Sequence, residues 1–165
     1  MKIRDFINSD AEYIIGWISD EWEFRCWCAD RYESYPLVAD DIVEKYSESV
    51  KGGRFFPFTA IDENSSPIGH FILRYPGEDK SILRLGFVIL DKSERGRGLG
   101  CEMIGLAKKY AAEVFNARKL TLGVFENNAA ALKCYTASGF TQIEKTGTIA
   151  FFGENWKCIE MEANI

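Results

Sequence analysis

The sequence has a single histidine, His70, and only four prolines among 165 residues. One imidazole excludes the paired-histidine zinc patterns, and Cys26 and Cys28 find no second pair at zinc spacing among Cys101, Cys134 and Cys158. No metal site is expected. The five cysteines form an odd, scattered set that suits a reducing compartment. No apolar run approaches the roughly 20 residues that span a bilayer, and Met1-Lys2-Ile3-Arg4-Asp5 alternates charge where a secretory leader is apolar. The expected location is the cytoplasm, with no membrane contact. A basic surplus is missing too: 20 Lys and Arg stand against 25 Asp and Glu, a net charge of −5. Such a chain carries no field that gathers nucleic acid.

Apolar and aromatic side chains are plentiful. Hydrophobic residues make up 47%, with 12 Phe, 7 Tyr and 4 Trp, enough to bury one substantial core. No internal repeat, low-complexity tract or linker interrupts the chain, so a single domain over residues 1–165 is expected.

Lys2 to Phe6 reads as a strand. Ser9-Asp10-Ala11-Glu12 fits the capping-box pattern and opens an amphipathic helix carrying Ile14, Ile15, Trp17 and Ile18. From Glu21 to Leu37 aromatics and charges lack clean periodicity, which predicts irregular structure. A second helix starts at Asp40 or Asp41 and runs to about Val50, stopped by Gly52-Gly53. Three strand-like runs follow, Phe55 to Ile61, Ile68 to Tyr75 and Ile82 to Leu90, separated by turn clusters, as in an antiparallel meander. Leu99, Met103, Leu106, Tyr110 and Val114 then mark a helical stripe. A strand at Leu120 to Val124, a helix from about Asn128 to Ser138 and strands near Phe140 to Thr148 and Asn155 to Met161 complete the chain. The predicted order is β-α-α-β-β-β-α-β-α-β-β, a mixed α/β sheet with helices on its faces.

The most informative stretch runs from Gly86 through Arg95-Gly96-Arg97-Gly98-Leu99-Gly100, where a strand passes through a polar turn into a helix whose opening has little side-chain bulk. Backbone N–H groups at the positive end of a helix dipole make an anion site suited to a phosphate or pyrophosphate. Residues 92 to 119 hold seven basic side chains against three acidic ones, a local +4. A dinucleotide fingerprint fits poorly, because Cys101 takes the last glycine's position and antiparallel strands come first. A Walker A loop needs Gly-Lys followed by Ser or Thr, which the chain lacks.

Arg95-Gly96-Arg97-Gly98-Leu99-Gly100 resembles the Q/R-x-x-G-x-G/A signature of the GCN5-related N-acetyltransferases, the GNAT superfamily, whose element order is also similar. The resemblance implies the GNAT acyl-CoA N-acyltransferase fold and acetyl-CoA as co-substrate. It implies that Arg95, Gly96, Arg97, Gly98, Leu99 and Gly100 hold the coenzyme A pyrophosphate through their N–H groups. It also implies that a bulged strand at Val88, Ile89 and Leu90 binds the acetyl carbonyl and pantetheine amides through its backbone. Asn128 to Phe140 is similar to the family's N-x-x-A-x-x-x-Y-x-x-x-G-F helix, which assigns Asn128 to the pantetheine arm and places Tyr135 by the thioester sulfur.

Acetyl transfer to an amine needs a neutral amine, a stabilised oxyanion, alignment, and a proton for the leaving thiolate. Backbone N–H near Ile89 suits the oxyanion. Tyr135 is the expected general acid, since a phenol with a pKa of about 10 matches a thiolate of similar basicity. No general base is assigned: the position at which many relatives carry a glutamate is Gly123, Glu126 reads as a solvated loop residue, and His70 reads as structural. Cys134 reads as a packed cysteine rather than a nucleophile. Residues 1 to 53 hold twelve acidic side chains against six basic, which favours a cationic acceptor over an anionic one, although a solvated acidic face is an equal explanation.

The expected function is direct acetyl transfer from acetyl-CoA to a primary amine, on a small molecule or a peptide N-terminus. A non-catalytic acyl-CoA-binding or sensing module of the same fold is the alternative, and a nucleotide-dependent oxidoreductase a distant third. The oligomeric state stays open, a homodimer being one option.

Overall fold

A computed structural model describes all 165 residues. Strand β1 (Lys2–Asp5) leads into helices α1 (Asp10–Trp17), α2 (Glu21–Cys28) and α3 (Ala39–Val50). The meander β2 (Phe55–Ile61), β3 (Pro67–Arg74) and β4 (Ile82–Leu90) follows. After a short 3₁₀ turn at Lys92–Glu94 come α4 (Leu99–Phe115), β5 (Lys119–Phe125), α5 (Ala129–Ala137), β6 (Thr141–Phe151) and β7 (Glu154–Asn164). The seven strands form one sheet in the order β1-β2-β3-β4-β5-β7-β6. Only β4 and β5 pair in parallel.

Strand alternation sends side chains to two distinct cores. Phe58, Phe71, Leu73, Leu83, Leu85, Leu120 and Leu122 pack under α4, meeting Met103, Ile104 and Ala107. On the opposite face Ile72 and Ile89 meet Ala11, Ile14, Phe24, Trp27, Ile42 and Tyr46 of α1 to α3. The sheet therefore separates a face covered by α4 and α5 from a face covered by α1 to α3.

Three local expectations are corrected. Glu21–Cys28 is a helix, with Phe24, Trp27 and Cys28 buried at helical spacing and the Asp20 carboxylate accepting the Glu23 N–H at 2.8 Å. The Ser9 capping box does not form. Instead Asp10, 2% exposed, turns inward to accept the Ile7 N–H at 3.0 Å, the Thr59 hydroxyl at 2.7 Å and both Arg4 nitrogens at 2.6 and 2.8 Å. A buried carboxylate with four donors outweighs a single surface cap. Finally, the buried stripe of α4 is Met103, Ile104, Ala107 and Ala111, and Val114 is exposed, because the face of the helix that meets the sheet is centred on these four positions. The last two strands are also longer than expected, forming a hairpin turned at Phe152-Gly153, where both residues have positive φ.

Candidate active site

β4 enters the loop of residues 91–98 and α4 leaves it. Gly96 and Gly98 have φ of +76° and +81°, a left-handed backbone that most side chains resist, and Gly98 caps the N-terminus of α4. Nothing stands within 4 Å of a side chain built at either glycine, so the space above them is open. The first backbone bond into Gly98 comes from Glu102 at 3.2 Å. The N–H groups of the first turn before it have no helical acceptor. Arg97 is exposed and pairs with Glu94. Arg95 points away from the opening: its guanidinium bonds the Leu90 carbonyl at 2.9 and 3.0 Å and pairs with Glu23 of α2. Only the main chain of Arg95 is left to the loop, which its side chain ties to the helical layer.

β4 is bulged. Ile72 pairs with Gly86 and His70 with Ile89, so Phe87 and Val88 together oppose Phe71. Phe87 has φ +47°, and its carbonyl accepts the Trp27 indole N–H at 2.9 Å. Val88 and Leu90 turn toward the α4 core and Ile89 toward the α1–α3 core. Past Arg84 and Thr121, the last paired residues, β4 and β5 separate. The sheet thus opens beside the bulge.

α5 docks against the start of α4. Cys134 Sγ stands 3.2 Å from Cys101 Sγ, and Lys108 donates to the Ser138 carbonyl at 2.9 Å. Asn128 caps α5, its side-chain oxygen accepting the Ala131 N–H at 3.2 Å. Tyr135 is 8% exposed, packs edge-on against Phe140, and burial pushes its phenol above the ordinary value. Cys134 is pushed up to about 12, chiefly by burial, and so stays a neutral thiol.

Among the base candidates, His70 is wholly buried, bonded to Tyr46 Oη at 2.9 Å, and pushed down to about 3 by burial. It is a core residue. Glu126 is exposed and pairs with Lys157 at 3.2 Å. A Cβ at Gly123 would lie 2.7 Å from Arg84 Nη2 and 3.2 Å from Glu160 Oε1. Glu160 is the cross-strand partner of Gly123 and binds Arg84 bidentately at 2.6 and 2.9 Å. The carboxylate absent at 123 is matched by one from β7. Sequence reading missed Arg84 and Glu160, since only strand register joins them.

Arg84, Gly123 and Glu160 line a cleft of about 330 Å³ on the face covered by α2, opposite α4 and α5. Its walls are the α2 terminus, Gly86 and Phe87 of β4, Gly123 and Phe125 of β5, and the β6–β7 hairpin. An open helix start with left-handed glycines, a bulged strand and an opened sheet, with a separate cleft behind the opening, stand together around β4.

Residues 12–140 match the family described as "Acetyltransferase (GNAT) family". The chain belongs to this family. Over 65 residues it is 34% identical to a probable spermine N(1)-acetyltransferase of Bacillus subtilis subsp. natto, covering 39% of this chain and 41% of that protein. It is 32% identical over 65 residues to a spermine/spermidine N(1)-acetyltransferase of Bacillus subtilis strain 168, with the same shares covered. The alignment thus spans about two fifths of the length of these curated relatives. A spermidine N-acetyltransferase from Vibrio cholerae, solved in complex with CoA and spermine, superposes with a TM-score of 0.81 at 21% identity, covering 99% of this chain and 94% of that one. The likeness establishes the fold. No helix is long and apolar enough to cross a membrane.

Proposed function

We propose that this protein is an acetyl-CoA-dependent N-acetyltransferase that passes the acetyl group directly to a primary amine of a small molecule. The observation that carries the reading is the pair of left-handed glycines at the α4 N-terminus, opening onto a bulged and splayed β4. Residues 1–165 are taken as one catalytic domain in the cytoplasm, in keeping with five unpaired cysteines.

Acetyl-CoA supplies an activated carbonyl and a thiolate leaving group. The N–H groups of residues 96–100 hold its diphosphate, with Asn128 beside the pantetheine arm. The bulge at Phe87–Val88 leaves backbone donors outside the β3 ladder, and one such donor to an oxyanion is typically worth roughly 3 to 4 kcal/mol. Trp27 holds the bulge in place through the Phe87 carbonyl. The amine enters from the α2 face, so the two reactants meet through the gap between β4 and β5. Tyr135, kept protonated by burial, gives its proton to the departing sulfur and regains one from solvent after product leaves. Both oxygens of Glu160 are held by Arg84, so no side chain is assigned as base and the amine proton passes to solvent.

The test is thiol release from acetyl-CoA across a panel of primary amines, together with acetyl-CoA binding by calorimetry. Release with at least one amine supports the reading. Binding without release across the panel replaces it with an acyl-CoA-binding module. Absence of binding at millimolar ligand overturns both. Accumulation of an acetyl-enzyme without acceptor overturns direct transfer.

A further inference from the structure

The cleft on the α2 face has a charge opposite to that of the molecule. Its ionisable lining is Arg31, Arg74, Arg84 and Lys145 against Asp30 and Glu160, two positive charges in excess in a chain of net −5. Of the twelve acidic residues among the first 53, only Asp30 lines it. Asp10 is buried against Arg4, Glu23 is turned to Arg95, and Glu21 to Arg25.

Within the cleft the cations are unequally satisfied. Arg84 is matched by Glu160. Arg31 has only a loose contact with Asp30 at 3.7 Å, both side chains being exposed. Arg74 is the cross-strand neighbour of Arg84, is half-buried, and makes no ion pair or side-chain hydrogen bond within the chain. Burial and the charges of Arg84 and Arg31 hold it below the ordinary arginine value, and Glu160, already engaged by Arg84, offsets them only in part. A half-buried guanidinium facing two others is costly unless an anion joins them. Its planar fork suits the paired oxygens of a carboxylate or phosphate. Arg74 lies three rungs from the bulge, since Arg74 pairs with Arg84 and the bulged Phe87 and Val88 oppose Phe71. An anion held there sits roughly 10 Å along the strand from the bulge at about 3.3 Å per residue, so anion and amine would stand at opposite ends of an extended acceptor.

We propose that the acceptor is an amine bearing an anionic oxygen group, held by Arg74 and Arg31, and not a polyamine. The inference rests on the acetyltransferase reading and narrows its substrate class.

The experiment measures kcat/KM for amines that differ only in the anion: lysine against lysinamide, 6-aminohexanoate against its amide, and phosphoethanolamine against ethanolamine, with spermidine alongside. The expected result is at least a tenfold preference for the anionic member of one or more pairs, and for that member over spermidine. A preference in the carboxylate pairs or in the phosphate pair alone identifies the anion. Arg74→Gln brings the preferred pair to within threefold while acetyl-CoA affinity, read by calorimetry, is retained. Exposed Arg31→Gln weakens the preference without risk to the fold. Spermidine as the best acceptor, or neutral members equal to anionic ones throughout, overturns the inference and leaves the acetyltransferase reading intact. Thiol release from no amine overturns that reading and the inference with it.

Discussion

Gly98 and Tyr135 are the residues on which binding and chemistry separate most cleanly. Gly98→Val puts a side chain into the open space above the α4 N-terminus and forces a β-branched residue to φ +81°. Strain of about 1–2 kcal/mol is expected, together with loss of acetyl-CoA binding by calorimetry. Unchanged affinity refutes the loop's role. Tyr135→Phe keeps the ring against Phe140 and removes only the hydroxyl. Turnover is expected to fall by about 100-fold or more, with the KM for acetyl-CoA little changed. Full activity removes Tyr135 as the proton donor. Gly123 shows how a glycine can be dictated by a neighbour: the Arg84–Glu160 pair fills the volume a side chain needs.

At the scale of elements, α2 connects three parts of the site. It carries Trp27 to the Phe87 carbonyl, Glu23 to Arg95, and ends at the cleft wall. Trp27→Phe preserves the stacking on Tyr32 but strips the hydrogen bond from the bulge. A buried carbonyl left unpartnered costs about 1–3 kcal/mol. The expected result is a matching loss in urea denaturation and a lower kcat, with acetyl-CoA affinity largely retained. Equal kcat in the variant shows that the bulge holds itself. The helix itself was legible only in part. Asp20 and Glu23 form a reciprocal cap, Glu23 accepting the Ser19 N–H at 2.8 Å, and this spacing is visible in the sequence. Aromatics at 22, 24 and 27 obscured it, because Trp22 is 43% exposed and breaks the apolar stripe. At Ser9 the same kind of pattern misleads, since Arg4 and Thr59 draw Asp10 inward.

Across the whole molecule, two cores share one sheet and His70 lies inside the second, stacked on Tyr46 with Phe6 across its edge. Its proton affinity is pushed down to about 3 by burial, against which the nearby Asp10 charge acts only partly. Between pH 6.5 and pH 3 the unfolded chain therefore binds a proton that the folded chain refuses. Stability should drop as pH falls through that window, by about 1.4 kcal/mol per unit, or about 2 kcal/mol between pH 7 and pH 5. Asp10, whose carboxyl is lowered by Arg4, Ile7 and Thr59, keeps its contribution until the pH is below the ordinary carboxylate range. Urea denaturation at pH 7 and pH 5 measures the drop, and His70→Gln should flatten it. A wild-type curve without slope refutes the buried neutral imidazole.

The element order apart from α2, the left-handed glycine turn and the helix between Asn128 and Phe140 follow from the sequence alone, because each depends on residues close in the chain: periodicity, caps and backbone freedom are local. The charge of the cleft on the α2 face does not. Arg31, Arg74, Arg84 and Glu160 come from a loop and three strands, and Arg84 meets Glu160 across 76 positions of sequence. Composition placed an acidic surplus in the first third of the chain, yet only Asp30 of it reaches the cleft, while others such as Asp10, Asp20 and Glu23 are taken up in a buried pair, a cap and a pair with Arg95. Strand register, set by the two cores, decided which charges face one another where an amine would bind.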